Sequence, residues 1–248
     1  MALLIAVPLV LTWRVVQQER LNQALITAVK RNDDQAVVSL LDQGADANCR
    51  DEPPRKFSLW ETLMQIVRGR QSQRSKAPTP LLVALTPQPP RLDIPPENVA
   101  LVRALLDHGA QVDRMDSDGF TPLIVAICCG HYGTVRLLLA HGARVKGRGR
   151  DAEAPLVLAA TFSNIDRGVI VDLLDHGAEV NQRDSDGRTA LFMAAWAGRT
   201  DIVRILLARH ADVTVRFEDK TPLAKAMQAD RPQSREIVRL LKAAEAKR

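Results

Sequence analysis

Aromatic residues make up only 4% of this 248-residue chain. With Ala and Leu abundant, that scarcity points to packed helices, because β-sheets draw on Val, Ile, Tyr, Phe and Thr. Cysteine is also scarce: Cys49, Cys128 and Cys129 are odd in number and two of them are neighbours. No disulfide framework can be read from them, and the thiols agree with a reducing compartment. Neither sign of charge dominates, and a formal +5 allows an anionic partner without requiring one. The chain lacks a phosphate-binding glycine motif, a Gly-x-Ser-x-Gly elbow and any Cys/His pairing at zinc spacing. What it has is 46% apolar and 25% charged residues, the balance of a folded chain that buries a substantial core.

A segment beginning Thr-Pro-Leu recurs along the chain. It stands at Thr121-Pro122-Leu123 and Thr221-Pro222-Leu223, with relatives at Thr79-Pro80-Leu81, Ala154-Pro155-Leu156, Thr189-Ala190-Leu191 and a degenerate first copy at Gln23-Ala24-Leu25. Starts at 121, 154, 189 and 221 are 33, 35 and 32 residues apart, while the earlier gaps of 56 and 42 are one period plus an insertion. About twenty residues into each copy an apolar helical stripe stops at Gly-Ala, as in Leu105-Leu106-Asp107-His108-Gly109-Ala110 and its counterparts ending at Gly142-Ala143 and Gly177-Ala178. Threonine suits the helix start as an acceptor for a free backbone N–H, and proline suits the first helical position. Glycine ends the second helix in a left-handed conformation that residues with a Cβ adopt only at a cost. Between these marks Ala28, Ala84, Ala126, Ala159, Ala194 and Ala226 hold one equivalent place, where a small side chain lets neighbouring helices approach.

The period and its two landmarks resemble the ankyrin repeat, a β-turn followed by two antiparallel helices. The resemblance covers residues 21–248 and implies an all-α ankyrin-repeat solenoid of about six repeats with short β-turn fingers. The third and fifth copies also keep Asp-Gly before the helix, as Asp118-Gly119 and Asp186-Gly187. The first copy lacks Thr-Pro and the last ends without Gly-Ala, departures that suit terminal capping repeats. His210 stands where the fifth copy should have glycine, which predicts a strained cap.

Two insertions interrupt the pattern. Residues 50–78 hold seven basic residues against three acidic ones, so +4 of the chain's +5 is local. Within them Ser58 and Glu61 form a capping box, and Trp60, Leu63, Met64 and Val67 share one helical face, predicting a short amphipathic helix that packs on the solenoid or meets a partner. Residues 86–96 carry Pro87, Pro89, Pro90, Pro95 and Pro96 and read as a stiff, extended connector between the helices of the second repeat. Residues 1–13 have no charged side chain. A helix of that length spans about 20 Å, short of a hydrocarbon core of about 30 Å, and the segment makes a poor signal peptide. Residues 1–16 are expected to form a hydrophobic anchor, read as a transmembrane helix whose start is cut short, with Trp13 and Arg14 at the interface and the repeats on the cytoplasmic side. The alternative is a helix that caps the open edge of the first repeat in a soluble cytoplasmic protein.

Candidate chemistry resolves into structure. His108, His141 and His176 hold equivalent places before the capping glycine. Stacked helices about 8–10 Å apart do not let neighbouring imidazoles share an ion, and a cation suits a helix C-terminus. His131 follows Gly130, where the ankyrin pattern also has Gly-His. Asp116-Ser117-Asp118-Gly119 and Asp184-Ser185-Asp186-Gly187 fail as calcium loops, because Arg114 or Gln182 would be the first ligand and Val125 or Met193 the twelfth. No cofactor, metal, small-molecule substrate or catalytic residue is expected. The resemblance implies binding of a protein partner through finger tips and the concave ends of the first helices. Position by position these are Ser117, Asp118 and Phe120, then Ser185, Asp186 and Arg188 at the tips, and Thr161, Phe162 and Trp196 at the helix ends. The rival is binding of nucleic acid or anionic lipid through the 50–78 insertion and the Arg144-x-Lys146-x-Arg148-x-Arg150 tip, which strong salt dependence would reveal.

Overall fold

The computed structural model describes residues 2–52, 77–86, 96–116, 118–146, 154–162, 165–229 and 232–246, with side chains of the first helix described from Trp13 onward. Most of the 50–78 insertion, the proline-rich connector, Ser117, Arg148 and Arg150 lie outside the described residues. The chain forms two compact units, Met1–Pro122 and Leu123–Arg248.

In the first unit the helices are α1 (Ala2–Lys30), α2 (Asp34–Asp42), α3 (Pro80–Leu85) and α4 (Val99–Asp107). First helices pack on first helices and second on second: α1 on α3, α2 on α4, with α1–α2 and α3–α4 closing each pair. Leu25, Val37, Leu81, Leu82, Leu101 and Leu105 fill the core. Asn48 joins the two repeats, its side-chain N–H donating to the Gly109 carbonyl at 2.8 Å while its Oδ1 accepts the Gln111 N–H at 2.7 Å. The base of the long insertion is tied shut where Asp51 N–H donates to the Pro78 carbonyl at 3.1 Å and Lys30 meets Asp51 at 2.7 Å.

α1 runs without a break from Ala2, so residues 2–16 and the first helix of the first repeat are a single element. Among the described residues no helix is long and apolar enough to cross a membrane, and the transmembrane span expected at the N-terminus is not found there. The side chains of residues 2–12 in this helix lie outside the described ones.

The second unit holds α5 (Pro122–Cys129), α6 (Tyr132–Ala140), α7 (Pro155–Thr161), α8 (Arg167–Asp175), α9 (Ala190–Ala197), α10 (Thr200–Ala208), α11 (Pro222–Gln228) and α12 (Ser234–Glu245). α9 packs between α7 and α11, and α10 between α8 and α12. Ion pairs join successive second helices, Arg136–Asp172 at 2.8 Å, Arg209–Asp175 at 2.9 Å and Arg204–Glu236 at 2.9 Å. Asn181 repeats the bridge of Asn48, accepting the Asp212 N–H at 2.7 Å. Among the described residues there is no sheet, only isolated bridges at Arg183–Thr189 and Phe217–Lys220.

The expected punctuation is present. Thr189 and Thr221 accept the N–H groups of Phe192 and Ala224 at 3.3 and 3.2 Å, whereas Thr79 makes no such bond. At the end of α6 Gly142 takes φ +80°, its N–H donating to Leu139 while Ala143 reaches back to Leu138, both at 2.9 Å, which closes the helix in a Schellman motif. His210 takes φ +62° in the same geometry without being glycine. The histidines before these caps act locally: the Nδ1 atoms of His108 and His176 bond the Ala104 and Asp172 carbonyls at 2.8 and 2.7 Å.

Candidate interaction surface

The fingers are organised by an aspartate that precedes each Asp-Gly. Asp116 Oδ1 accepts the N–H groups of Asp118 and Phe120, both at 2.9 Å. Asp184 does the same for Asp186 and Arg188, at 3.1 and 2.8 Å. These carboxylates are spent on the backbone of the turn, so the loops hold themselves in shape without an ion, and among the described residues no group of three ligands could hold one. In the fifth repeat Arg188 clamps the tip, with Nε on Asp184 at 2.7 Å and Nη2 on Asp186 at 2.6 Å. Asp118 and Phe120 belong to the first unit. Thr161, Phe162, Ser185, Asp186, Arg188 and Trp196 belong to the second.

Helix ends in the second unit expose large apolar side chains. Phe162 caps α7 at 37% exposure, Trp196 sits in the last turn of α9 at 44%, and Met227 in the last turn of α11 at 63%. Phe162 and Trp196 stand at the ends of α7 and α9, neighbouring first helices that pack together. At the end of α7 the Thr161 hydroxyl donates back to the Val157 carbonyl at 2.8 Å. Two residues were missed from sequence. Arg199, 11% exposed, donates to the carbonyls of Phe162 and, at 2.7 Å, Ile165, fastening the end of α9 to the turn after α7. Lys225 places its ammonium 5.5 Å from the Trp196 ring centroid. The signal for it was present: the second to fifth copies carry Val83, Val125, Leu158 and Met193 at that place, and the first carries Thr27.

Cys49 and Cys129 are not primed for chemistry. Burial first, then Asp46, Glu19 and Asp51, push Cys49 up to about 12, and burial raises Cys129 as well.

The family model for ankyrin repeats (3 copies) matches residues 14–149 and 150–247. The chain belongs to the ankyrin-repeat family. No curated protein matches it. Among solved structures it is similar to the ankyrin repeat domain of human ASB11, at TM-score 0.63 and 24% identity over 89% of this chain and 82% of that one. At this identity the likeness concerns the fold alone. Ankyrin-repeat domains typically serve as protein-interaction scaffolds, which is the coarse function the family assigns.

Proposed function

We propose that the chain is a non-catalytic scaffold that holds a protein partner at the first-helix ends and finger tips of its second unit, with Phe162, Trp196, Arg188, Asp186, Ser185 and Thr161 at the contact and Asp118 and Phe120 offering a further tip in the first unit. The observation that carries this reading is the exposure of Phe162 and Trp196 at the ends of packed first helices, because large aromatics that reach a partner's pocket dominate interface energetics. Residues 1–16 serve as a tether to a membrane surface in this reading. Its support is thirteen uncharged N-terminal residues ending at Trp13, which is 62% exposed. The nucleic-acid or anionic-lipid alternative loses one of its cations to Glu179, which holds Lys146 at 2.6 Å.

The test is affinity capture with the full chain, Trp196→Ala and Arg188→Ala, under nuclease and with partners identified by mass spectrometry. Loss of specific proteins with both variants is expected; Trp196→Ala should move the thermal midpoint by about 2–4 °C, and Arg188→Ala further, because Asp184, 2% exposed, loses its cation. Capture that both variants leave intact, or that nuclease or high salt abolishes, overturns it. The tether is checked separately by fractionating the full chain beside one starting at Gln17, since both remaining in the soluble fraction would remove it.

A further inference from the structure

α11 and α12 end the described stack, and their far side is legible from the copies before them. Leu223 matches Leu123, Leu156 and Leu191, Met227 matches Ile127, Ala160 and Ala195, and Val238 matches Val135, Ile170 and Val203. All nine of those equivalents are at most 1% exposed. Leu223 and Val238 are instead half-buried, and Met227 is 63% exposed. Leucine stands at all four of the first places, so side-chain size does not make the difference. Neighbours do: α9 packs between α7 and α11, and α10 between α8 and α12, whereas among the described residues α11 and α12 have a neighbouring repeat on one side alone.

Charge follows the same pattern. Val-Arg-x-Leu recurs at 135–138, 203–206 and 238–241, and its arginine twice reaches forward to the next repeat. Arg136 of α6 pairs with Asp172 of α8 at 2.8 Å, and Arg204 of α10 with Glu236 of α12 at 2.9 Å. Arg239 holds that place in α12, is 77% exposed, and turns back at 3.3 Å to Glu236, a carboxylate that Arg204 already holds. Residues 221–248 carry seven basic side chains against three acidic ones. Two copies of the chain meeting at this end would set like charge against like, whereas an acidic partner is drawn to it.

The joints between earlier repeats show what fits such a face: one helix laid on the first helix and one on the second. Helices pair their own backbone groups, but an extended segment pressed on α11 and α12 would bury N–H and C=O groups that neither helix can pair. We infer that this end is a docking surface for an acidic partner protein, covered by two packed helices that set apolar side chains on Leu223, Met227 and Val238 and a carboxylate on Arg239. The inference uses none of the contact residues of the proposed scaffold surface and does not rest on them.

The experiment places the photo-cross-linking residue p-benzoylphenylalanine in place of Met227 in the full chain, within the cells that normally make it, and maps the adducts by mass spectrometry. The cross-linked segment is expected to lie on helices of another protein and to carry Asp or Glu near the attachment point. Made as a purified domain, it is then titrated. Met227→Asp should weaken binding about 30-fold, and Met227→Leu should keep most of it. Arg239→Glu should weaken binding about tenfold, and exchanging the partner's acid for Lys should restore binding to that variant alone. Thermal melts of the variants separate lost binding from lost folding.

An adduct to this same chain, within one copy or between two, overturns the inference, and a concentration-dependent dimer that Met227→Asp dissolves would assign the end to self-association. Adducts to lipid alone would assign it to a membrane. Absence of any adduct, or an affinity indifferent to Met227→Asp or to Arg239→Glu, overturns it as well. The same probe in place of Trp196 reports on the scaffold surface, so either surface can fail without the other.

Discussion

His108 Nε2 lies 3.2 Å from Asp42 Oδ1, linking the C-terminus of α4 to that of α2. The same ring bonds the Ala104 carbonyl through Nδ1, and that bond first, then Asp42, raises its pKa above the ordinary 6.5. A folded value above the unfolded one means that the contribution is complete below the unfolded pKa and is lost as pH rises through the folded one. Asp42→Asn should therefore lower the unfolding midpoint most near about pH 5.5, where the imidazole is charged, and least near about pH 8.5. Paired melts at the two pH values check this, and a deficit that grows with pH would contradict it.

Asp219 takes φ +60° and Glu218 φ +47° in the tight turn that the Phe217–Lys220 bridge closes. In the third and fifth repeats the place of Asp219 belongs to Gly119 and Gly187, at φ +90° and +86°. The left-handed region costs a residue with a Cβ about 1 kcal/mol or more, partly offset by the freedom glycine regains in the unfolded chain. Asp219→Gly should raise stability by about 0.5–1 kcal/mol. A denaturant midpoint that falls instead would mean that the carboxylate holds the turn.

Gly142, at φ +80°, has nothing within 4 Å of where a Cβ would stand. Space is therefore not what glycine supplies there. Gly142→Val should cost about 1–2 kcal/mol, the penalty of forcing a β-branched residue into the left-handed region, and Gly142→Asn less. Equal losses for the two would point to packing rather than conformation.

The helix pairs were legible because their signals are local. A threonine that caps two or three residues ahead, or a glycine that closes the turn behind it, acts within one stretch of chain, so Thr189, Thr221, Gly142 and Gly177 could be read directly. The finger aspartates were half-legible: Asp118 and Asp186 drew attention, yet Asp116 and Asp184 do the bonding. The surface was least legible. Lys225 reaches a tryptophan one repeat earlier, and Arg199 reaches carbonyls one repeat back, contacts set by how repeats stack. Aligning copies by position would have exposed Lys225 as the one charged residue at a place that is apolar in the second to fifth copies.

Arg199 gives the sharpest separation between building the surface and contacting a partner. Its guanidinium, 11% exposed, donates to the Phe162 carbonyl and to that of Ile165 at 2.7 Å, so removing it leaves two carbonyls short of a donor. A hydrogen bond from a charged group is worth about 1.5–3 kcal/mol, and Arg199→Ala should lose at least that much stability. Arg199→Lys keeps the charge but lacks the planar fork, so it should recover only part. Because Phe162 and Trp196 sit at the two ends that Arg199 fastens, Arg199→Ala should also weaken Trp196-dependent partner capture at temperatures where the variant is still folded. Trp196→Ala should do the reverse: the ring is 44% exposed, the midpoint changes little, and the loss shows in binding. The measurement is a denaturant melt and an affinity capture on each variant, and an Arg199→Ala chain that melts like the parent would show that the turn after α7 is held by packing alone.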